Sequence, residues 1–166
     1  GQQLMDEFLD LHYGRAATPI RRYINFLHDD AESKGKTRSC MGTGADYKIE
    51  DEIIRTGLDA FDEALQLADD DVIRARVEKA SIAAYCAAIA EPAFWIWEKR
   101  NREVPAAWGA IEKTMPQRLA ERRPYFRKFF NLAKTYGVTR WAESVTIEQA
   151  STFNKAGYGI GKDEPW

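Results

Sequence analysis

Along this chain apolar residues return every three or four positions, the period of a helix that buries one face. Leu4, Met5, Phe8, Leu9 and Leu11 predict a first helix, and Gly14 predicts its stop. Thr18 and Pro19 suit an N-cap and a first helical position. Ile20, Tyr23, Ile24 and Leu27 then follow at i, i+3, i+4 and i+7. Residues 34–48 read as a loop punctuated by Gly35, Gly42 and Gly44. Ile54, Leu58, Phe61, Leu65 and Ala68 mark the next helix. The run Asp69, Asp70, Asp71 breaks it and supplies a cap for its successor. That successor carries Ile73, Val77, Ala80, Ala84 and Ala88, with alanines small enough for close packing. The short connection predicts antiparallel neighbours.

Prolines and glycines divide the second half. Pro92 is expected to interrupt the helical pattern, and Phe94 to Trp97 are apolar on all sides. Pro105 restarts a short helix with Trp108, Ile111 and Met115 on one face, and Pro116 ends it or begins another. Pro124 reads as a first-position proline before Phe126, Phe129, Phe130, Ala133 and Tyr136, and Gly137 as a stop. Thr146 to Gln149 form a capping-box pattern. Residues 157–166, with three glycines and a proline, are expected to fray. Strand-period alternation is confined to residues 94–97. The pattern predicts an all-α fold, a roughly antiparallel bundle of six or seven helices, with residues 1–166 as a single helical domain.

Composition bounds this reading. A chain of 166 residues is long enough to bury its own core. With 45% hydrophobic and 30% charged residues it is not a disordered chain. Lys plus Arg (24) nearly balances Asp plus Glu (26), which argues against a dedicated nucleic-acid binder. Uninterrupted apolar runs fall short of the roughly 18 residues of a membrane span, so none is expected. Two cysteines exclude a disulfide scaffold and a four-cysteine zinc site. Gly1 stands where an initiator Met would, ahead of a helix-like segment, so the chain reads as a fragment of a larger protein.

Candidate chemistry is sparse. The carboxylate clusters Glu50, Asp51, Glu52 and Asp59, Asp62, Glu63 have the spacing of solvated helix faces. His12 and His28 lie on different helices, without the close spacing of a metal pair. Cys86 reads as a small core residue and Cys40 as a loop thiol. Gly42-Thr43-Gly44 and Gly35-Lys36-Thr37 lack the strand and glycine spacing of nucleotide loops. Arg118, Arg122, Arg123, Arg127 and Lys128 form a basic cluster, offset in part by Glu121. No catalytic residue, metal or cofactor is assigned. Aromatic residues are the most informative set. Indole faces stack on the C–H faces of sugars as well as in cores, and Trp95, Trp97 and Trp108 are the candidate sugar or domain contacts, with Trp141 beside them.

Met5-Asp6-Glu7-Phe8-Leu9, Tyr13-Gly14-Arg15-Ala16-Ala17 and Pro19-Ile20-Arg21-Arg22-Tyr23 resemble a segment that follows the barrel in glycoside-hydrolase-like proteins of the domain-of-unknown-function 4838 family. Phe61-Asp62-Glu63-Ala64 and Arg76-Val77-Glu78 resemble a later helix pair of that family, so the likeness covers roughly residues 4 to 90. His12 departs from the family's frequent Tyr. The resemblance implies the C-terminal helical domain alone, with residues 2–13 as the closing helix of a preceding barrel. It implies a non-catalytic accessory domain that supports or shapes the barrel of a carbohydrate-active, exported bacterial protein. The expected partners are that barrel and carbohydrate, with no nucleic acid and no membrane span. The alternative is a helical interaction module that binds a peptide or partner domain in a groove.

Overall fold

The computed structural model describes residues 1–35, 49–101, 113–142 and 144–166. Among these the chain is all-α apart from one hairpin. The elements are α1 (Gln2–Tyr13), a 3-10 turn (Gly14–Ala16), α2 (Ala17–Ser33), α3 (Asp51–Leu67), α4 (Asp71–Asn101), α5 (Met115–Thr135), β1 (Arg140–Ala142), β2 (Val145–Thr146) and α6 (Ile147–Gly157). The chain divides into two compact units, Gly1–Ala84 and Tyr85–Trp166. The 34–48 loop beyond Gly35, Cys40, and the Pro105 helix with Trp108 lie outside the described residues.

In the first unit, Leu9, Ala16, Ala17, Ile20, Tyr23, Ala60, Phe61, Ala64, Val77 and Ala84 form the core. Gly14 takes a positive φ of 52°, a cheap conformation only for glycine, and turns α1 into the 3-10 turn. That turn runs directly into α2, so Thr18 lies inside the first helical turn and caps nothing. Pro19 is tolerated there because first-turn N–H groups have no helical partner. Asp70 is the cap at the start of α4: its carboxylate accepts from the Ile73 N–H at 2.7 Å. The Arg76 guanidinium donates to the His12 carbonyl at 2.9 Å and ties α4 to the end of α1. Arg21 reaches both Asp6 (2.7 Å) and Asp10 (2.6 Å), one turn apart on α1.

In the second unit, Pro92 does not interrupt the helix; α4 runs through it. A mid-helix proline costs about 3 kcal/mol. Buried Ile89, Ala93, Trp95 and Ile96 around it offset that cost, at about 1.5–3 kcal/mol for each large side chain. Pro116 begins α5, and Pro124 lies in its interior on the exposed side rather than at a start. The breaks expected at Pro92 and Pro124 do not occur, and six α-helices are found among the described residues. Gly137 ends α5 at φ 67°, with the Val138 N–H bonded back to the Ala133 carbonyl at 2.8 Å. The β1–β2 hairpin escaped the sequence reading because strands of three and two residues are too short to alternate. It delivers Thr146 into the predicted capping box: Thr146 Oγ1 accepts from the Gln149 N–H (3.2 Å), and Gln149 Oε1 from the Thr146 N–H (2.9 Å).

The C-terminal tail does not fray into solvent. Trp166 is 8% exposed and stacks on Phe126 and Phe130 at 5.5 and 5.2 Å. Its indole N–H donates to Ser151 Oγ at 3.0 Å. Burial of one large ring offsets the ordering of the few residues before it. The segment Asp71–Trp97 of α4 is long and apolar enough to cross a membrane by length and composition. The expectation of no span rested on uninterrupted runs, and across residues 80–97 Glu91 is the sole charge.

Candidate functional site

The candidate site lies in the second unit, where α6 meets the end of α4. Gly157 permits the approach: a Cβ there would lie 2.6 Å from Ile96 Cγ2. The capping box fixes the start of α6 just after the hairpin, so Ser144, Val145, Glu148, Gln149, Thr152 and Phe153 share one side of a cleft. Trp97 and Arg100 of α4 form the other side, and Lys162 of the tail closes it. Lys155 holds that tail by donating to the carbonyls of Lys162 and Glu164. The cleft encloses about 560 Å³, room for a ligand of a few sugar rings' width.

Its chemistry is one indole beside several polar tips. Trp97 is half-buried and stacks on Phe94 at 5.9 Å with 23° between planes. Glu148, Arg100 and Lys162 are exposed and charged. The Thr152 hydroxyl donates to the Glu148 carbonyl at 2.8 Å, and the Gln149 side chain is occupied in the cap. An apolar ring flanked by acceptor and donor groups is chemically suited to a ligand with an apolar face and a hydroxyl rim.

Trp95 and Trp141 lie elsewhere, and Trp108 is outside the described residues. Trp95 is 6% exposed, with the Lys99 ammonium 4.6 Å from its ring centroid. Its indole N–H has no hydrogen-bond partner among the described residues. A buried ring under a cation offers no face to a sugar, so Trp95 is a core residue. Trp141 meets Phe129 edge-on at 5.3 Å and belongs to the aromatic cluster of Phe126, Phe129, Phe130 and Trp166. Sequence reasoning missed the partners of Trp97. Glu148, Gln149 and Thr152 are signalled only by their i, i+1, i+4 spacing after the capping box, and Arg100 only by lying three residues beyond Trp97.

The remaining described candidates make the following contacts. His12 stacks on Phe8 at 5.1 Å, and slight burial with the nearby Arg76 charge lowers its pKa. Cys86 is half-buried, and burial pushes its thiol pKa up, away from nucleophilic use near neutral pH. Glu50 pairs with Lys34 at 2.8 Å and Glu63 with Arg22 at 2.6 Å on exposed faces. Among the described residues no three His, Cys, Asp or Glu side chains gather as a metal site.

A second surface of note is on α1. Leu4, Phe8 and Leu11 are 71%, 53% and 78% exposed and fall on one line of the helix, with Met5 beside them, while Leu9 on the other side is buried. No family model, curated protein or solved structure matches this chain.

Proposed function

We propose that this chain is a non-catalytic helical accessory domain of an exported, glycoside-hydrolase-like protein, packed on the catalytic barrel and shaping its carbohydrate cleft. The outward stripe of α1 carries the reading. A helix that turns Leu4, Phe8 and Leu11 to water while burying Leu9 has two apolar faces, one for its own core and one for a neighbour. The resemblance of residues 4–90 to the helical region behind such barrels supports the same placement. The Trp97 cleft supports a sugar-contacting role, with Trp97 stacking on a ring and Glu148 and Arg100 engaging hydroxyls.

The test compares one pair of substitutions in two settings. In the 166-residue chain alone, Leu4→Glu and Leu11→Gln touch exposed positions and should change stability by less than about 0.5 kcal/mol each. In the full-length gene product, where the barrel covers α1, each should cost about 1.5–3 kcal/mol. Equal, near-zero effects in both settings would overturn the packing role. A thermal-shift screen with neutral oligosaccharides, repeated on Trp97→Ala, tests the cleft by linkage.

A further inference from the structure

The two units differ in charge. Residues 1–84 hold 17 acidic and 11 basic side chains, and residues 85–166 hold 9 acidic and 13 basic, for nets of −6 and +4. The positive charge concentrates on α5, which carries six Lys and Arg and one carboxylate, Glu121. Two of those cations are engaged: Arg118 binds Glu91 at 2.5 Å, and Arg122 lies 5.6 Å from the Tyr125 ring centroid. Glu121 accepts from Gln117 at 2.8 Å.

The outward face is different. Arg123, Arg127 and Lys128 are exposed, and among the described residues none forms an ion pair. With Pro124 and Asn131 they line a shallow hollow of about 370 Å³. Arg123 and Arg127 stand one helical turn apart, about 6 Å along the axis. Ala120 also lines this hollow, and because Pro124 has no N–H its carbonyl has no i+4 helical donor.

We propose that this face of α5 binds an acidic polysaccharide, its carboxylate or sulfate groups held by Arg123, Arg127 and Lys128. The Ala120 carbonyl takes a sugar hydroxyl, and the pyrrolidine ring of Pro124 meets a sugar C–H face. Charge complementarity selects an anion. A carbonyl without its helical donor suits a ligand that also brings hydroxyl donors, which a DNA backbone does not. A single-stranded nucleic acid would further want aromatic platforms among the cations, and the hollow has none. The inference rests on the carbohydrate reading above but uses a different surface from both α1 and the Trp97 cleft.

The experiment titrates the whole 166-residue chain, by calorimetry at low salt, with polygalacturonate, dextran sulfate, neutral dextran and single-stranded DNA. The variants are Arg123→Gln/Arg127→Gln/Lys128→Gln and a charge-matched control, Arg55→Gln/Lys79→Gln/Lys113→Gln. Binding to at least one acidic glycan, at least tenfold weaker in the α5 variant and within twofold of wild type in the control, supports the proposal. Polygalacturonate alone identifies a uronate carboxylate, and dextran sulfate alone a sulfate ester. Three results overturn it: no binding to either acidic glycan, equal weakening in both variants, or DNA bound as tightly as the glycans. Circular dichroism of both variants confirms that they fold. If binding fails while the α1 substitutions still behave differently in the two settings, only this inference falls. The reverse outcome removes the barrel-packing role and leaves a free-standing acidic-glycan binder.

Discussion

Gly57→Ala is expected to destabilise the first unit, although in an open helix the same change stabilises. Gly57 is buried in the middle of α3 and faces the Tyr23 ring of α2. A Cβ would lie 2.6 Å from Cζ, 2.7 Å from Oη and 2.9 Å from Cε2 of that ring. Tyr23 is itself buried and set edge-on to Phe61 at 6.1 Å, so it has little room to move. Alanine gains about 1 kcal/mol over glycine in helix propensity, and overpacking a filled site costs about 1–3 kcal/mol. Three sub-3.0 Å contacts with a rigid ring place the cost near the top of that range, for a net loss of about 1–2 kcal/mol. Urea unfolding followed by circular dichroism reads it directly, and the melting point should fall by about 2–8 °C. In a Tyr23→Leu background the clash is gone and Gly57→Ala should stabilise by about 1 kcal/mol. A gain in the wild-type chain, or the same change in both backgrounds, would refute the argument.

Removing the α4 cap with Asp70→Ala should cost about 1 kcal/mol in the same urea assay, because the Ile73 N–H loses its partner. Burial raises the phenol pKa values of Tyr23 and Tyr158 above the ordinary value of 10.0. A raised folded pKa gives stability that is whole below the unfolded pKa and lost as pH rises through the folded values. Urea midpoints should therefore hold to about pH 10 and fall beyond it, and Tyr158→Phe should make that fall shallower. At neutral pH the same variant loses the hydrogen bond to the Leu119 carbonyl, about 1 kcal/mol. In a Cys40→Ser background, alkylation of Cys86 by iodoacetamide at pH 8 should run well below the rate in urea, since burial disfavours the thiolate; equal rates would show an open thiol.

Local signals read well wherever the chemistry is local. The capping box at Thr146, the acidic cap before Ile73 and the positive-φ stops at Gly14 and Gly137 are decided by residues within a turn of one another. Thr18 misled because a 3-10 turn upstream moved the helix start to Ala17, an effect no propensity of Thr18 contains. Trp166 misled because its stabilisation comes from Phe126 and Phe130, over 30 positions away. The Trp97 cleft was half legible. The ring was singled out, but its polar flank comes from α6 and the tail, which only the fold brings near.

The Pro92 expectation failed for a reason that also explains why α4 looked ambiguous. A helix serving one core shows one apolar stripe. α4 gives Val77 and Ala84 to the first unit's core, and Ala88, Ile89, Ala93, Trp95 and Ile96 to buried positions of the second. Over its 31 residues the apolar positions of α4 are not confined to one narrow stripe, and the single-face periodicity fades. The same spreading gives the segment the composition of a membrane span. A proline in such a helix is judged by what its neighbours bury, not by propensity alone. Pro92 is itself buried between Ile89 and Ala93, where the lost hydrogen bond is outweighed by large side chains on either side. Pro124, by contrast, is exposed, as is Ala120 whose carbonyl loses its donor, so the gap in the ladder lies at the surface rather than in a core.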